Sequence, residues 1–567
     1  MGLTPVFFLS CPLRANIFPF LDHCVKLYYV VKEFPLLKLC NLINRVNIIE
    51  STSTGGATMN VDVKKTERPP YGILSVLMIG AFIAFLNNTL LNIALPSIMN
   101  DLNVRETTVQ WLSTGFMLVN GILIPITAFL IQKYSVRGLF LTAMGLFTIG
   151  TIISGIAHAF PILLAGRMTQ AAGSAIMMPL LMNVMLVSFP VEKRGTAMGV
   201  FGLILMAAPA IGPTLSGWII EHYDWRMLFH FITPIAAIIL LSGVFLLKDK
   251  KEKVDTRFDL SSFLLSSIGF GGVMYGFSSA GNKGWDSPQV YGTIIIGVIS
   301  LIWFILSQNK LKEPMLNFTI FKYPMFALSS IITMVVNMAM FSGMLLLPIY
   351  VQILRGISPM DAGLMLLPGA LVMAIMSPIT GRLFDKFGGR VLAIAGLTIM
   401  TITTYYFSKL TFETSYTYLM ILHAIRMFGM SMVMMPVSTN GLNQLPKRFY
   451  PHGTAMNNTL NQVSGAIGTA LLITIMSNRR DTYASELSSS MMKSMEGGQS
   501  AEAVTQMKQE LFMQATLKGI NYSFFVAALF SVVALVLAFF IKRAKQAEDP
   551  IEQKPASTKV APKLVEN

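Results

Sequence analysis

The chain is predicted to be an all-α, polytopic membrane protein of about fourteen spanning helices, and three observations predict it. Charged residues are 13% of the 567 and hydrophobic residues 53%, with a mean hydropathy of +0.61. A soluble domain carries roughly 25% charged residues, so lipid is the solvent for most of this chain. From Tyr71 onward, apolar runs long enough to cross a bilayer core of about 30 Å recur at regular intervals. The Lys and Arg residues gather in the short segments between those runs, a topology signal and not a nucleic-acid footprint, despite the net charge of +15.

The expected spans are 72–95, 110–131, 138–158, 162–188, 197–220, 227–247, 260–280, 289–308, 325–351, 361–380, 390–410, 416–439, 454–476 and 521–541. Helix is the form they must take. Period-2 alternation is absent, and backbone groups in lipid have to be paired within the segment. One set of alternate loops carries Lys133, Arg137, Lys193, Arg194, Lys248, Lys250, Lys251, Lys253, Arg257, Lys310, Lys312, Lys322, Arg382, Lys386, Arg390, Lys447 and Arg448. The opposite short loops carry Arg105, Arg226, Lys283, Arg355 and Lys409. This positive-inside bias places both termini in the cytoplasm.

Residues 1–58 read differently. Their apolar patches, Pro5–Leu13 and Val25–Leu39, are broken by charge and too short to span. No long apolar core follows a basic start, as a signal peptide would require. Met59 opens a polar lead, 59–70, and two glycine codons at Gly55-Gly56 can spell a ribosome-binding sequence just upstream. The expectation is that translation starts at Met59 and that 1–58 is a non-native extension, which intact mass of the native protein would check. The three cysteines, Cys11, Cys24 and Cys40, all fall in this segment and match neither a zinc motif nor a disulfide framework. No phosphate-binding glycine loop and no His/Cys metal cluster is present, so neither an enzyme nor a bound cofactor is expected.

The chain repeats weakly. Arg137 and Arg390 close similar segments after the second and tenth spans, Arg167 and Arg426 lie within the fourth and twelfth, and Ala-Ile-Gly ends at Gly212 in the fifth and at Gly468 in the thirteenth. The offsets are 253, 259 and 256 residues. Two six-helix bundles, 71–247 and 325–541, with two inserted helices at 260–308, satisfy all three. A long external loop, 477–520, is expected to form a small cap, and 542–567 a cytoplasmic tail. Transporters built from repeats place substrate near the midplane between the halves.

Several residues carry candidate chemistry. Arg167 is a cation in a membrane helix, a costly placement that marks either function or a side chain stitching neighbouring spans. Arg426 and His423, one turn apart, pose the same question. Asn87, Asn88 and Asn92 set amides at successive turns of the first span, where they can orient a polar substrate or bond to neighbouring helices. The Gly212-Pro213 and Gly217 stretch allows close approach and a bend, or simply packs. Asp385, with Arg382, Lys386 and Arg390, can latch one conformation by pairing with basic residues or helix N-termini, or can merely set topology. No Asp or Glu falls in the middle of any expected span; Asp101, Glu221 and Asp361 lie near span ends. A proton carrier is therefore an end-of-span carboxylate, His423 or an amine on the substrate.

These motifs carry a resemblance. Ala84-Phe-Leu-Asn-Asn-Thr-Leu-Leu-Asn-Ile-Ala-Leu-Pro96, Leu164-Ala-Gly-Arg167-Met-Thr-Gln170-Ala-Ala-Gly173, Pro209-Ala-Ile-Gly212-Pro213-Thr-Leu-Ser-Gly217 and Asp224-Trp-Arg226 stand in order on the expected spans. From about Tyr71 to Lys545 the chain resembles the fourteen-span drug:proton antiporters of the major facilitator superfamily, and within them the lincomycin-resistance type of multidrug exporter. The resemblance implies a major facilitator fold in a bacterial inner membrane. It also implies a monomer that exchanges a small amphipathic substrate for protons. Arg167 then serves proton transfer or coupling, together with Arg426, His423, Asp361 and Glu221. Asn87, Asn88, Asn92 and Gln170 line a substrate cavity. Pro209, Gly212, Pro213 and Gly217 form the antiporter motif that seals the halves in one direction. Asp385, Arg382, Lys386, Arg390, Lys133 and Arg137 form a cytoplasmic gate. The chain departs from the family pattern with Asn87-Asn88 where a carboxylate is common, Gln132 where the first gate copy has aspartate, and Ala171 where glycine is usual. Alternatives are a same-fold transporter of one endogenous metabolite and a non-transporting membrane sensor.

Overall fold

The computed structural model describes residues 71–247, 259–311, 313–494 and 501–544. The expected extension 1–58, the lead 59–70 and the tail beyond 544 lie outside them. The described chain is built of helices, and every expected span falls on one. In order they are α1 (Tyr71–Asp101), α2 (Trp111–Lys133), α3 (Val136–Gly155), α4 (Phe160–Ser188), α5 (Arg194–His222), α6 (Met227–Leu246) and α7 (Leu260–Lys283). There follow α8 (Pro288–Gln308), α9 (Pro324–Ile349), α10 (Pro359–Phe387), α11 (Gly389–Phe407), α12 in two pieces (Tyr416–Ser431 and Met434–Asn443), α13 (Tyr450–Ser494) and α14 (Ala501–Ala538). Among the described residues, 13 helical stretches are long and apolar enough to cross a membrane. The remaining expected span lies in α5, whose 29 residues reach about 43 Å at a rise of about 1.5 Å per residue.

Local chemistry explains the boundaries. Ser135 caps α3 by accepting from the Gly138 N–H at 3.2 Å, and Asp259 caps α7 by accepting from the Ser261 N–H at 3.1 Å. Gly388, between α10 and α11, has φ of 80°, a left-handed conformation that glycine adopts without cost and that turns the chain sharply. Internal prolines at 125, 179, 234, 348, 368 and 378 bend their helices and free carbonyls without ending them.

The two six-helix sets pack alike. In the first, α3 lies on α4 and α6, α2 on α4, and α1 on α5 and α6; in the second, α11 lies on α12 and α14, α10 on α12, and α9 on α13 and α14. Each pairing recurs eight helices later. The sets meet along two seams, α5 against α10 and α2 against α13, which the same relation exchanges. The inserted pair α7–α8 packs on α2 and α13, so it touches both sets along one seam. Met274 seats in the clearing at Gly121 of α2, Trp111 stacks on Tyr275 at 5.9 Å, and Trp285 Nε1 donates to Thr474 Oγ1 of α13 at 2.6 Å.

The expected external loop is corrected. Within 477–520 the described residues are helical, because α13 runs on to Ser494 and α14 begins at Ala501. The segment is rich in Ala, Glu, Gln, Met and Lys, all favourable to helix in water. Cations stand over rings along this extension: Arg480 over Phe512 at 5.5 Å, Lys518 over Tyr483 at 5.8 Å and Arg479 over Tyr522 at 5.6 Å.

Candidate functional site

In the first set, the charge at Arg167 organises a polar core. Its side chain is 0% exposed. Nη1 donates to Gln170 Oε1 at 2.8 Å, Nη2 donates to Asn88 Oδ1 at 3.1 Å, and the guanidinium lies over the Phe116 ring at 4.4 Å. Gln170 is held in turn, accepting from Asn87 Nδ2 at 3.1 Å and donating to Thr151 Oγ1 at 2.8 Å. Four helices thus converge on one arginine through neutral amides, a hydroxyl and an aromatic face. Of the expected cavity residues, Asn87, Asn88 and Gln170 are brought together here. The side chain of Asn92 lies outside the described residues.

The second set places Arg426 and His423 in the corresponding region of α12, both buried. Arg426 Nη2 donates to the Ala339 carbonyl at 2.7 Å and to Ser342 Oγ at 3.1 Å, both on α9. Asp361 and Glu221 stand elsewhere, on exposed helix ends. Asp361 exchanges bonds with Ser358 at the start of α10, where Ser358 Oγ donates to Oδ2 at 2.8 Å and accepts from the Asp361 N–H at 3.1 Å. These two carboxylates are not brought to the buried arginines.

The seam between the sets is sealed at the end where α5 begins and α10 ends. Gly195, Gly199 and Gly202 of α5 face Ser377 and Gly381 of α10 so closely that backbone meets backbone. A Cβ at Gly199 would stand 2.6 Å from the Ser377 carbonyl oxygen, and one at Gly195 would collide with Gly381 and Asp385. Asp385 completes the seal. Oδ1 accepts from the Gly195 N–H at 2.8 Å, and Oδ2 accepts from the Thr196 N–H at 2.8 Å and from Thr196 Oγ1 at 2.6 Å. A carboxylate on the first turn of a helix meets unpaired donors and the positive end of the helix dipole together. Arg194 crosses as well, its Nη1 donating to Asn443 Oδ1 at 3.0 Å while its guanidinium covers Tyr450 at 4.9 Å.

The other seam carries the related contact in neutral form. The Gln132 amide lies 3.1 Å from Nε2 of the buried His452, whose Nδ1 accepts from the Asn317 N–H at 3.2 Å. Gln132 precedes Asp385 by 253 residues and Thr196 precedes His452 by 256, so the two latches are copies of one arrangement.

One sequence expectation changes. The gate's basic residues do not close on the Asp385 carboxylate, because the α5 N-terminus already fills it. Arg382, Lys386 and Arg390 are exposed, Lys386 stands over Phe387 at 5.2 Å, Lys133 over Phe129 at 5.4 Å, and Arg137 Nη2 donates to the Val244 carbonyl at 3.1 Å. Two residues of the antiporter stretch are held against α1 of the first set. Gly212 lies against Thr89 of α1, and Ser216 Oγ donates to the Leu90 carbonyl at 2.7 Å. Pro209 and Gly217 are half-buried on the same helix, while the side chain of Pro213 lies outside the described residues. The residues that bring the halves together at this end, Gly195, Gly199, Gly202 and Gly381, escaped the sequence reading, as did Thr196 and His452, and Arg194 was read only as a topology charge. The glycine spacing of three to four residues was the available signal.

Comparison with known proteins agrees with this architecture. The chain is 46% identical over 505 residues to the uncharacterized MFS-type transporter YhcA of Bacillus subtilis, covering 85% of this chain and 95% of that one. It is 42% identical over 475 residues to the lincomycin resistance protein LmrB of Bacillus subtilis, covering 83% and 96%. The crystal structure of the human organic anion transporter MFSD10 (TETRAN) superposes with a TM-score of 0.58 at 13% identity, over 83% of this chain and all of that one, a likeness of fold alone. The Major Facilitator Superfamily profile matches residues 77–469. On that match and those identities, this chain belongs to the Major Facilitator Superfamily.

Proposed function

We propose that this chain is a secondary active exporter of drugs or antibiotics, acting as a monomer in a bacterial cytoplasmic membrane with both termini inside. The observation that carries the reading is identity of about two in five with lincomycin resistance proteins over nearly their whole length. Multidrug export proteins at 26% identity extend the same relation. With the basic loops inside, the sealed end is the cytoplasmic one.

Coupling to protons is part of the proposal. The spans hold no mid-membrane carboxylate, so Arg167 and its amide cluster are assigned the coupling role, in which substrate or proton entry rearranges the Asn88 and Gln170 bonds. Asp385 is assigned the gate: its bonds to the α5 N-terminus hold the cytoplasmic end shut and must break for substrate to enter. The same lack of carboxylate favours a second reading, in which the cargo is one endogenous, uncharged metabolite.

Drug susceptibility in an efflux-deficient host separates the two. The chain from Met59 and its Arg167→Ala variant are compared at matched expression against lincosamides, dyes and quaternary amines. Protection that is lost in the variant, and lost on adding a protonophore, supports proton-driven export through Arg167. Correctly inserted protein that protects against nothing on the panel moves the assignment to the metabolite reading.

A further inference from the structure

We infer that Arg426 and His423, between α9, α10 and α12, form a binding site for a small monovalent anion, either inorganic or the carboxylate of an organic molecule. The site stands on geometry alone and does not depend on the export reading.

The two buried arginines are related by the repeat, yet they are satisfied differently. Arg167 has oxygens from Asn88 and Gln170 on both terminal nitrogens and the face of Phe116 beside it, which leaves Nε alone without a partner. Arg426 is also 0% exposed, but both of its bonds leave from Nη2, and Nε and Nη1 have no partner. His423, 6% exposed and one turn earlier, has an unpartnered Nδ1. The amides that serve Arg167 have no counterparts here. Gly429 stands 259 residues after Gln170, and α9 carries no side-chain amide from 338 to 349.

Nor, among the described residues, does a carboxylate pair with Arg426. The carboxylates of α9 to α12, Asp361 and Asp385, sit at opposite ends of α10 and are engaged there. The facing helices meet the pair with glycine, Gly343 at the unpartnered Nη1 of Arg426 and Gly369 at the Cδ2–Nε2 edge of the His423 ring. A Cβ at Gly343 of α9 would collide with Arg426 Nη1, and one at Gly369 of α10 with the His423 ring. Backbone and not side chain therefore walls the site. A buried cation with unmade hydrogen bonds is costly, and an anion that takes those donors recovers both the charge and the bonds.

The test uses purified full-length protein, unfolded thermally in gluconate and then in chloride, bromide or benzoate at constant ionic strength. A saturable rise in Tm of about 2–4 °C in at least one of these anions is expected, with none in Arg426→Gln. A rise in chloride and bromide identifies an inorganic anion, and a rise in benzoate alone identifies an organic carboxylate. No rise in any of them, or an equal rise in Arg426→Gln, overturns the proposal. Should Arg426→Gln fail to fold, anomalous scattering from wild-type crystals grown with bromide or 4-bromobenzoate decides it. A bromine peak beside Arg426 is expected, and its absence with both compounds overturns the site.

Discussion

Asp385 holds three donors of the opposite half, two of them backbone N–H groups at the start of α5. Hydrogen bonds to a charged acceptor are worth about 1.5–3 kcal/mol each, so Asp385→Asn, which keeps one acceptor and loses the charge, should weaken closure roughly tenfold or more. Labelling of a cysteine placed by Ser377→Cys, buried in the seam, should speed up by that factor; an unchanged rate would contradict the latch. Asp101 makes a second residue-scale case, on the opposite end. Hydrogen bonding from Trp225 Nε1 at 3.1 Å, then bonding and charge from Arg226 at 2.9 Å, hold its carboxyl below the usual aspartate range. A depressed folded-state value contributes stability that is full above the ordinary value, about 4, and is lost as pH falls through the folded one. Tm should therefore drop on acidification below about pH 4, and less steeply in Asp101→Asn. The sequence announced Arg167 and Asp385, because charge is rare in these helices. It allowed a helix N-terminus as a partner of Asp385 but could not say which one, since a backbone N–H has no residue identity to read.

At the scale of elements, the α5–α10 contact is built from Gly195, Gly199, Gly202 and Gly381, with little room for change. Gly199→Leu should hold the seam apart, overpacking it by about 1–3 kcal/mol, and abolish resistance while membrane insertion persists. Gly145, whose Cβ meets nothing within 4 Å, is the control, and Gly145→Leu should transport normally. Loss of resistance in both would point to a general defect. The spans themselves were legible, because about 20 apolar residues between basic loops leave few alternatives. The helical extension of α13 and α14 was not, since mixed charge marks a solvated helix and a loop alike. Small-residue spacing recurs at 195–202 and at 209–217, and packing alone distinguishes the face that meets the other half from the face that meets α1.

For the whole molecule, sealing one end implies that this end must open during a transport cycle. Paired substitutions Thr196→Cys and Asp385→Cys should form a disulfide that arrests transport, with activity returning on reduction; a cross-linked protein that still transports would show that the seam stays closed throughout. From Met59 onward the chain has no cysteine of its own, so the pair needs no further background changes. The repeat was visible in three residue pairs, but its two seams required the fold, because each seam joins helices far apart in sequence. The seams are unequal, and α7 is the reason. It lies along α2 and α13, which also meet each other; Met274 seats it against one, and Trp285, two residues past its end, bonds to the other. An insert that grips both helices of one seam acts as a tether across it, whereas the seam of α5 and α10 is held by glycine backbones and the Asp385 latch.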